Sequence, residues 1–333
     1  MGKHATPRHG SLQFYPRSRA HKILPRVNWN FINRKDVGLL GFLGYKVGMM
    51  SAYVKDNTAN SLTKGQRIII PVTILECPPI KILSTRFYSN GKVAGEVLNH
   101  NLDKELKKKI KLPKQTNKKI EDFEKSKISQ TQGSNKPFGF NKEFDDIRVV
   151  VYSQVKKTGI KKTPDIIEIG LSGNKEEKLN FIKNNLSKEI SIKDVLKEGV
   201  VDIRGVTIGK GLQGTIKRFG LTLKGHKSEK GQRTLGSGGP WHPSRVDFTQ
   251  PRAGQMGFFT RVVYNNKIVF VGDIKEKDIN LTEGFKHFGK IKNDYIILRG
   301  SVQGPVKRQL ILTSPLRPSK EQVKKNYEFI ELR

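Results

Sequence analysis

The 333-residue chain carries 63 Lys and Arg against 30 Asp and Glu, a formal charge of +33. Such a field opposes compact folding unless a polyanion neutralises it; nucleic acid is the first candidate and an anionic membrane surface the second. The single cysteine, Cys77, excludes an internal disulfide and a cysteine zinc site, and no run nears the eighteen or so apolar residues of a membrane span. The expectation is a cytosolic protein of two or three domains with no membrane partner.

Residues 1–35 read as an extended basic tail. Lys3, Arg8, Arg17, Arg19, Lys22, Arg26 and Arg34 occur before any acid, and prolines and glycines interrupt every possible helix. Phe14, Tyr15 and Trp29 sit among the charges. A solvated, disordered tail is the plain alternative. Interleaved arginines and aromatics favour a segment that orders on phosphates and stacks on bases.

From Val37 onward, short runs rich in Val, Ile, Tyr and Phe are bounded by turn residues and predict strands. These are 37–50, 67–77, 80–89, 147–155, 200–208, 261–272, 295–304 and 306–314. In 261–272 the pair Asn265-Asn266 predicts a tight hairpin, because asparagine tolerates positive φ. Many short strands without alternating helices point to a mainly β fold, a barrel or sandwich. Helical patterning is confined to 104–125 and 175–196, where Ser191 is a candidate N-cap with an acid three residues on and Gly199 a stop. Segments 36–90 and 196–318 are therefore assigned to the barrel, 91–195 to an insertion with polar links near 127–142, and 319–333 to a C-terminal tail. No internal repeat is visible.

Two patterns imitate catalysis. Gly209–Gly214 matches G-x-G-x-x-G after a strand, but a dinucleotide site also needs a helix and an acid about twenty residues on. The sequence that follows holds three glycines, which argues against a helix, and Glu229 lies in a basic loop. His242, Asp247 and Ser237 or Ser244 could be named a triad, but closeness in sequence supplies neither an oriented base nor an oxyanion hole. No catalytic constellation, metal site, cofactor or small-molecule substrate is indicated.

The remaining segment, Arg204–Arg261, contains eleven Lys and Arg, two acids and twelve glycines, and begins and ends in predicted strands. It reads as a long finger, 209–261, projecting from the barrel. As disorder, its aromatics are a liability. Threaded through folded RNA, its glycines admit close backbone approach and its cations (Lys210, Lys217, Arg218, Lys224, Lys227, Lys230, Arg233, Arg245, Arg252 and Arg261) neutralise phosphates. Trp241, beside His242, stacks where bases splay out.

The motifs "GKGLQG" (209–214), "GSGGPWHPSRV" (236–246) and "PRAGQMGFFTR" (251–261) resemble the central finger of the ribosomal protein L3 family of the large subunit. "HGSLQFYPRSRA" (9–20), "GFLGYKVGMM" (41–50) and "PVTILECPP" (71–79) are similar to that family's opening. Trp-His-Pro at the tip is the archaeal and eukaryotic pattern. The resemblance covers most of residues 1–315 and is weakest in 91–195 and after Pro318.

It implies a translation-type β-barrel with an inserted α+β region, and a tail and finger that enter rRNA toward the peptidyl transferase centre. It also implies a part in early assembly, large-subunit rRNA and neighbouring large-subunit proteins as partners, and no catalysis. By position Trp241 is the family's tip tryptophan, with Lys224, Lys227, Lys230 and Arg233 on its basic flank. Gln255 falls where some bacterial members carry a methylated glutamine, and no modification is inferred. The composition also suits a free-standing basic nucleic-acid chaperone.

Overall fold

The computed structural model describes residues 10–11, 13–34, 36–113, 144–196, 199–236, 238, 241–242 and 244–333. The fold is mainly β. It divides into two compact units, Leu24–Gly205 with Val262–Arg333, and the residues up to Ile23 with Val206–Arg261.

The larger unit combines a barrel and a second sheet. Strands β1 (Gly38–Leu39), β2 (Gly41–Asp56), β3 (Arg67–Glu76), β4 (Ile80–Ser89), β5 (Lys92–Leu98), β6 (Asp146–Ser153), β7 (Ile166–Ser172) and β8 (Val200–Val206) come from its first half. β11 (Thr260–Gly272), β12 (Tyr295–Arg299), β13 (Gln309–Thr313) and β14 (Tyr327–Leu332) complete it. The order β13-β8-β11-β12-β3-β2 returns to β13, which pairs with β2. Closure leaves these six strands no unpaired edge. The 16-residue β2 makes this possible: Gly41–Tyr45 pairs with β13, Ala52–Asp56 with β14, and β3 runs along its other edge.

The second sheet has the order β1-β7-β6-β4-β5. It shows why the apolar runs are continuous. In β6, Ile147, Val149 and Val151 enter the main core with Phe42, Leu43, Ile203 and Leu312, while Val150 and Tyr152 join a separate cluster with Leu83 and Leu106. Both faces are covered, so period-2 alternation is lost from the sequence. Helix α1 (Lys175–Asn185) contributes Leu179 and Ile182 to the main core. The short α2 (Ile192–Val195) starts as expected at Ser191, whose N–H donates to Asp194 at 3.1 Å, and it ends before Gly199.

Several expectations are corrected. Asn265-Asn266 makes no hairpin: β11 runs straight through it. Asn265 does take a positive φ of 55°, but its N–H donates to Asp202 at 2.8 Å and its Oδ1 accepts the Ser319 N–H at 3.1 Å. These partners hold the strand on course. Helical patterning at 104–125 yields only a 3₁₀ turn, Lys104–Lys108, before Pro113; its part from residue 114 lies outside the described residues, as do the polar links near 127–142. Helices are not confined to the middle, since α3 (Thr215–Phe219) and α4 (Lys320–Lys324) lie beyond it. β5, β7 and β14 were not expected, and β4 joins the second sheet instead of the barrel.

The largest correction concerns Trp29. It is 4% exposed and belongs to the main core with Val27 and Ile32. Its indole Nε1 donates to the Glu168 carbonyl at 3.1 Å. Gly170 and Gly41 make the room: a Cβ on either would lie within 2.8 or 2.9 Å of the tryptophan. The exposed side chains Arg26, Asn28 and Asn30 alternate with buried Pro25, Val27 and Trp29, and Trp29–Phe31 forms a 3₁₀ turn, so this tryptophan docks on its own chain and is not a reader of bases.

Candidate nucleic-acid interface

The smaller unit joins the tail to the finger. At the base of the finger, β9 (Gly209–Gln213) pairs antiparallel with β10 (Gly254–Gly257). The G-x-G-x-x-G glycines therefore lie in and just after a strand. Helix α3 is a single turn, capped at Gly220 in the left-handed conformation, so a helix does form after the motif but stops after five residues. The strand-to-helix phosphate turn of a dinucleotide site is not built. Gly257 has φ 71°, and a Cβ there would sit 2.1 Å from the Ile208 carbonyl oxygen, so no other residue fits this bulge.

Arginines and aromatics from the two segments interleave. The Arg17 guanidinium lies 4.2 Å from the Phe219 ring centre, and its Nη1 donates to the Arg218 carbonyl at 2.9 Å. Arg218 in turn donates from Nε to the Gln255 carbonyl at 3.0 Å and from Nη1 to the Arg252 carbonyl at 2.9 Å, tying α3 to the returning strand. Arg261 lies 3.9 Å from the centre of the Phe14 ring, Tyr15 meets Phe248 edge to face, and the Ala20 N–H donates to the Phe258 carbonyl at 2.9 Å. Burial, and then the charge of Arg17, lower the pKa of Arg218 and Arg261; an arginine so shifted is still charged at neutral pH.

The expected RNA-contacting residues thus separate into two groups. Arg17, Arg218 and Arg261 lie partly buried in the tail–finger contacts. Gln255 joins them: its Nε2 donates to the Gly257 carbonyl at 3.0 Å. Lys224 is intermediate, with Nζ donating to the Thr234 hydroxyl at 2.9 Å. Arg19, Lys22, Lys210, Lys217, Lys227, Lys230, Arg233, His242, Arg245 and Arg252 are exposed. Arg26 is exposed too, but on the larger unit; Lys3 and Arg8 lie outside the described residues. Trp241 is 87% exposed.

Reading each segment alone missed Phe219, Phe248 and Phe258 as its partners. For Phe219 and Phe258 a signal was present in "KRF" (217–219) and "FFTR" (258–261), as in "FYPR" (14–17) of the tail, each an arginine within two residues of an aromatic.

The triad gains no support. His242 is exposed, and Asp247 accepts the Thr249 N–H at 3.1 Å. Among the described residues no group of three His, Cys, Asp or Glu could hold a metal ion, and no helix is long and apolar enough to cross a membrane.

A closed β-barrel unit with a separate basic, glycine-rich unit that exposes a tryptophan defines a class of nucleic-acid-binding protein. The family model for ribosomal protein L3 matches residues 1–333. The large ribosomal subunit protein uL3 of Methanobrevibacter smithii is 43% identical over 330 residues, 96% of this chain and 94% of that one. Those of Archaeoglobus fulgidus and Methanocaldococcus jannaschii are each 40% identical, over 96% of this chain and 94% and 93% of their own lengths. The chain belongs to the ribosomal protein L3 family. It is a structural, RNA-binding constituent of the ribosome and not an enzyme, and the free-standing chaperone reading gives way to this.

Proposed function

We propose that the chain binds large-subunit rRNA through its tail–finger unit, beside neighbouring large-subunit proteins, and that the finger carries Trp241 toward the peptidyl transferase centre. The barrel is the folded anchor, and the tail and finger enter RNA early in assembly. The carrying observation is the contrast between the two tryptophans: Trp29 is enclosed by its own chain, whereas Trp241 is exposed within a run of exposed cations. Lys227, Lys230, Arg233, Arg245 and Arg252 suit phosphates, and the indole suits a splayed base. Arg17, Arg218 and Arg261 serve the same RNA indirectly, by fixing the finger's base.

Aromatic–base stacking is typically worth about 1–3 kcal/mol per base, small beside many phosphate contacts. Trp241→Ala is therefore expected to leave incorporation into the large subunit nearly intact and to alter aminoacyl-tRNA accommodation. Occupancy and tRNA binding are measured separately on purified variant subunits. Lost incorporation with normal tRNA binding per occupied subunit would make Trp241 a folding anchor and refute the assignment.

A further inference from the structure

The segment after β5 is pinned to the second sheet by its apolar side chains. Leu106 is buried with Leu83 of β4 and Val150 and Tyr152 of β6, and Leu102, Ile110 and Leu112 pack against the same cluster. The Leu106 carbonyl accepts the Lys109 N–H at 2.8 Å and the Ile110 N–H at 2.9 Å, which closes the 3₁₀ turn Lys104–Lys108. With Leu106 and Ile110 turned to the sheet, Lys104, Lys107, Lys108, Lys109 and Lys111 are all exposed. Five of the eight residues from 104 to 111 are therefore outward cations on a fixed mount.

A self-paired, solvated face alternates its charges in sign. Here the neighbouring carboxylates are already taken. Asp103 lies 3.3 Å from the Lys81 Nζ and accepts the Tyr152 hydroxyl at 2.8 Å. Glu105 pairs with Lys156 at 2.9 Å, and Glu189 with Lys157 at 2.7 Å and Lys81 at 3.8 Å. These three acids and three lysines balance. Lys188, exposed beside Glu189, adds a further cation. Among the described residues, none of the five outward lysines pairs with a carboxylate. A 3₁₀ turn rises about 2 Å per residue, so neighbouring ammonium groups fall within a Debye length of about 8 Å and repel one another. An external anion relieves that repulsion.

The residue types select the anion. Residues 101–113 contain no arginine and no aromatic ring. Lysines are point charges that neutralise phosphates without the bidentate or stacking contacts that read bases. We propose that residues 104–111 form a ridge that lies along phosphates of large-subunit rRNA, carried by the larger unit and not by the tail–finger unit. The proposal rests on the binding of large-subunit rRNA stated under the proposed function. It gives the inserted region a role: a sequence-independent electrostatic contact.

In the test, a diazirine analogue of lysine replaces Lys108 in the full chain, the chain is assembled into large subunits, and the photoadduct is mapped by mass spectrometry. An adduct on rRNA is expected. An adduct on another polypeptide, or only the water-quenched product, overturns the proposal. In parallel, all five lysines are replaced by glutamine, and affinity for large-subunit particles lacking this chain is measured across salt. Each lysine on a phosphate contributes about 0.7–0.9 log unit of affinity per log unit of salt, so three such contacts or more lower the slope by about 2 or more. The matching five-arginine chain is expected to keep the original slope. An unchanged slope in the glutamine chain overturns the proposal, as does a fall that arginine does not restore. Removing Lys227, Lys230, Arg233 and Arg245 instead separates the two readings. If that flattens the slope and removing the ridge does not, this proposal alone fails; if neither does, the tail–finger reading fails with it.

Discussion

Replacing Lys227, Lys230, Arg233 and Arg245 together by glutamine is expected to flatten the salt dependence of binding to a large-subunit rRNA fragment. Each phosphate neutralised contributes about 0.7–0.9 log unit of affinity per log unit of salt, so four lost contacts remove roughly three. Measured at about 50 mM and about 200 mM salt, the advantage of the unsubstituted chain should differ on the order of a hundredfold between the two conditions. All four side chains are exposed, so the substitutions remove charge without removing packing. Circular dichroism should therefore be unchanged. A slope equal to that of the unsubstituted chain would mean that the finger does not lie along phosphates. Replacing Arg17 and Arg218 by glutamine is a different experiment: it removes carbonyl and ring contacts as well as charge, and increased amide exchange along β9 and β10 should accompany any loss of affinity.

Trp29→Ala should destabilise the larger unit by about 3–5 kcal/mol, the usual cost of emptying a large core aromatic site. Gly41 and Gly170 leave no side chains to fall into the space, and the Glu168 carbonyl loses its indole donor. Against a total stability of about 5–15 kcal/mol for a domain, this is a large fraction. Denaturant unfolding of the free chain checks it directly. With only two tryptophans in the sequence, fluorescence separates them: Trp29 should resist acrylamide quenching and Trp241 should not. A Trp29→Ala chain with an unchanged unfolding midpoint would contradict the burial described above.

What was legible in the sequence follows from which signals are local. The apolar runs of β2, β3, β4, β6, β8, β11, β12 and β13, rich in aliphatic and aromatic residues and bounded by turn residues, specify strands through their own composition. The capping at Ser191 and Asp194 is a four-residue pattern, and both could be read directly. Closure of the barrel could not, because it depends on β2 pairing with β13, a strand at the far end of the chain, as well as with β3. Trp29 was misread for the same reason. It lies in a basic segment between Arg26 and Arg34, whereas Gly170, which helps to receive it, and Glu168, which accepts its indole N–H, are distant in the chain. Asn265-Asn266 has the local chemistry of a turn, but Asp202, Ser319 and the Arg317 carbonyl supply the bonds that a turn would have supplied.

In the candidate interface, the composition of the finger was legible, since the scarcity of acids and the abundance of glycine are local facts. The division of its arginines was not. Whether an arginine faces solvent or lies over Phe219 or Phe14 depends on the tail meeting the finger, a contact between segments some two hundred residues apart in the chain.

The most direct measurement is a cryo-electron microscopy structure of the large subunit containing this chain. The account predicts the Trp241 indole stacked on an rRNA base, with Lys227, Lys230, Arg233 and Arg245 on phosphate oxygens. An indole packed against protein, or those four side chains remote from RNA, would contradict it.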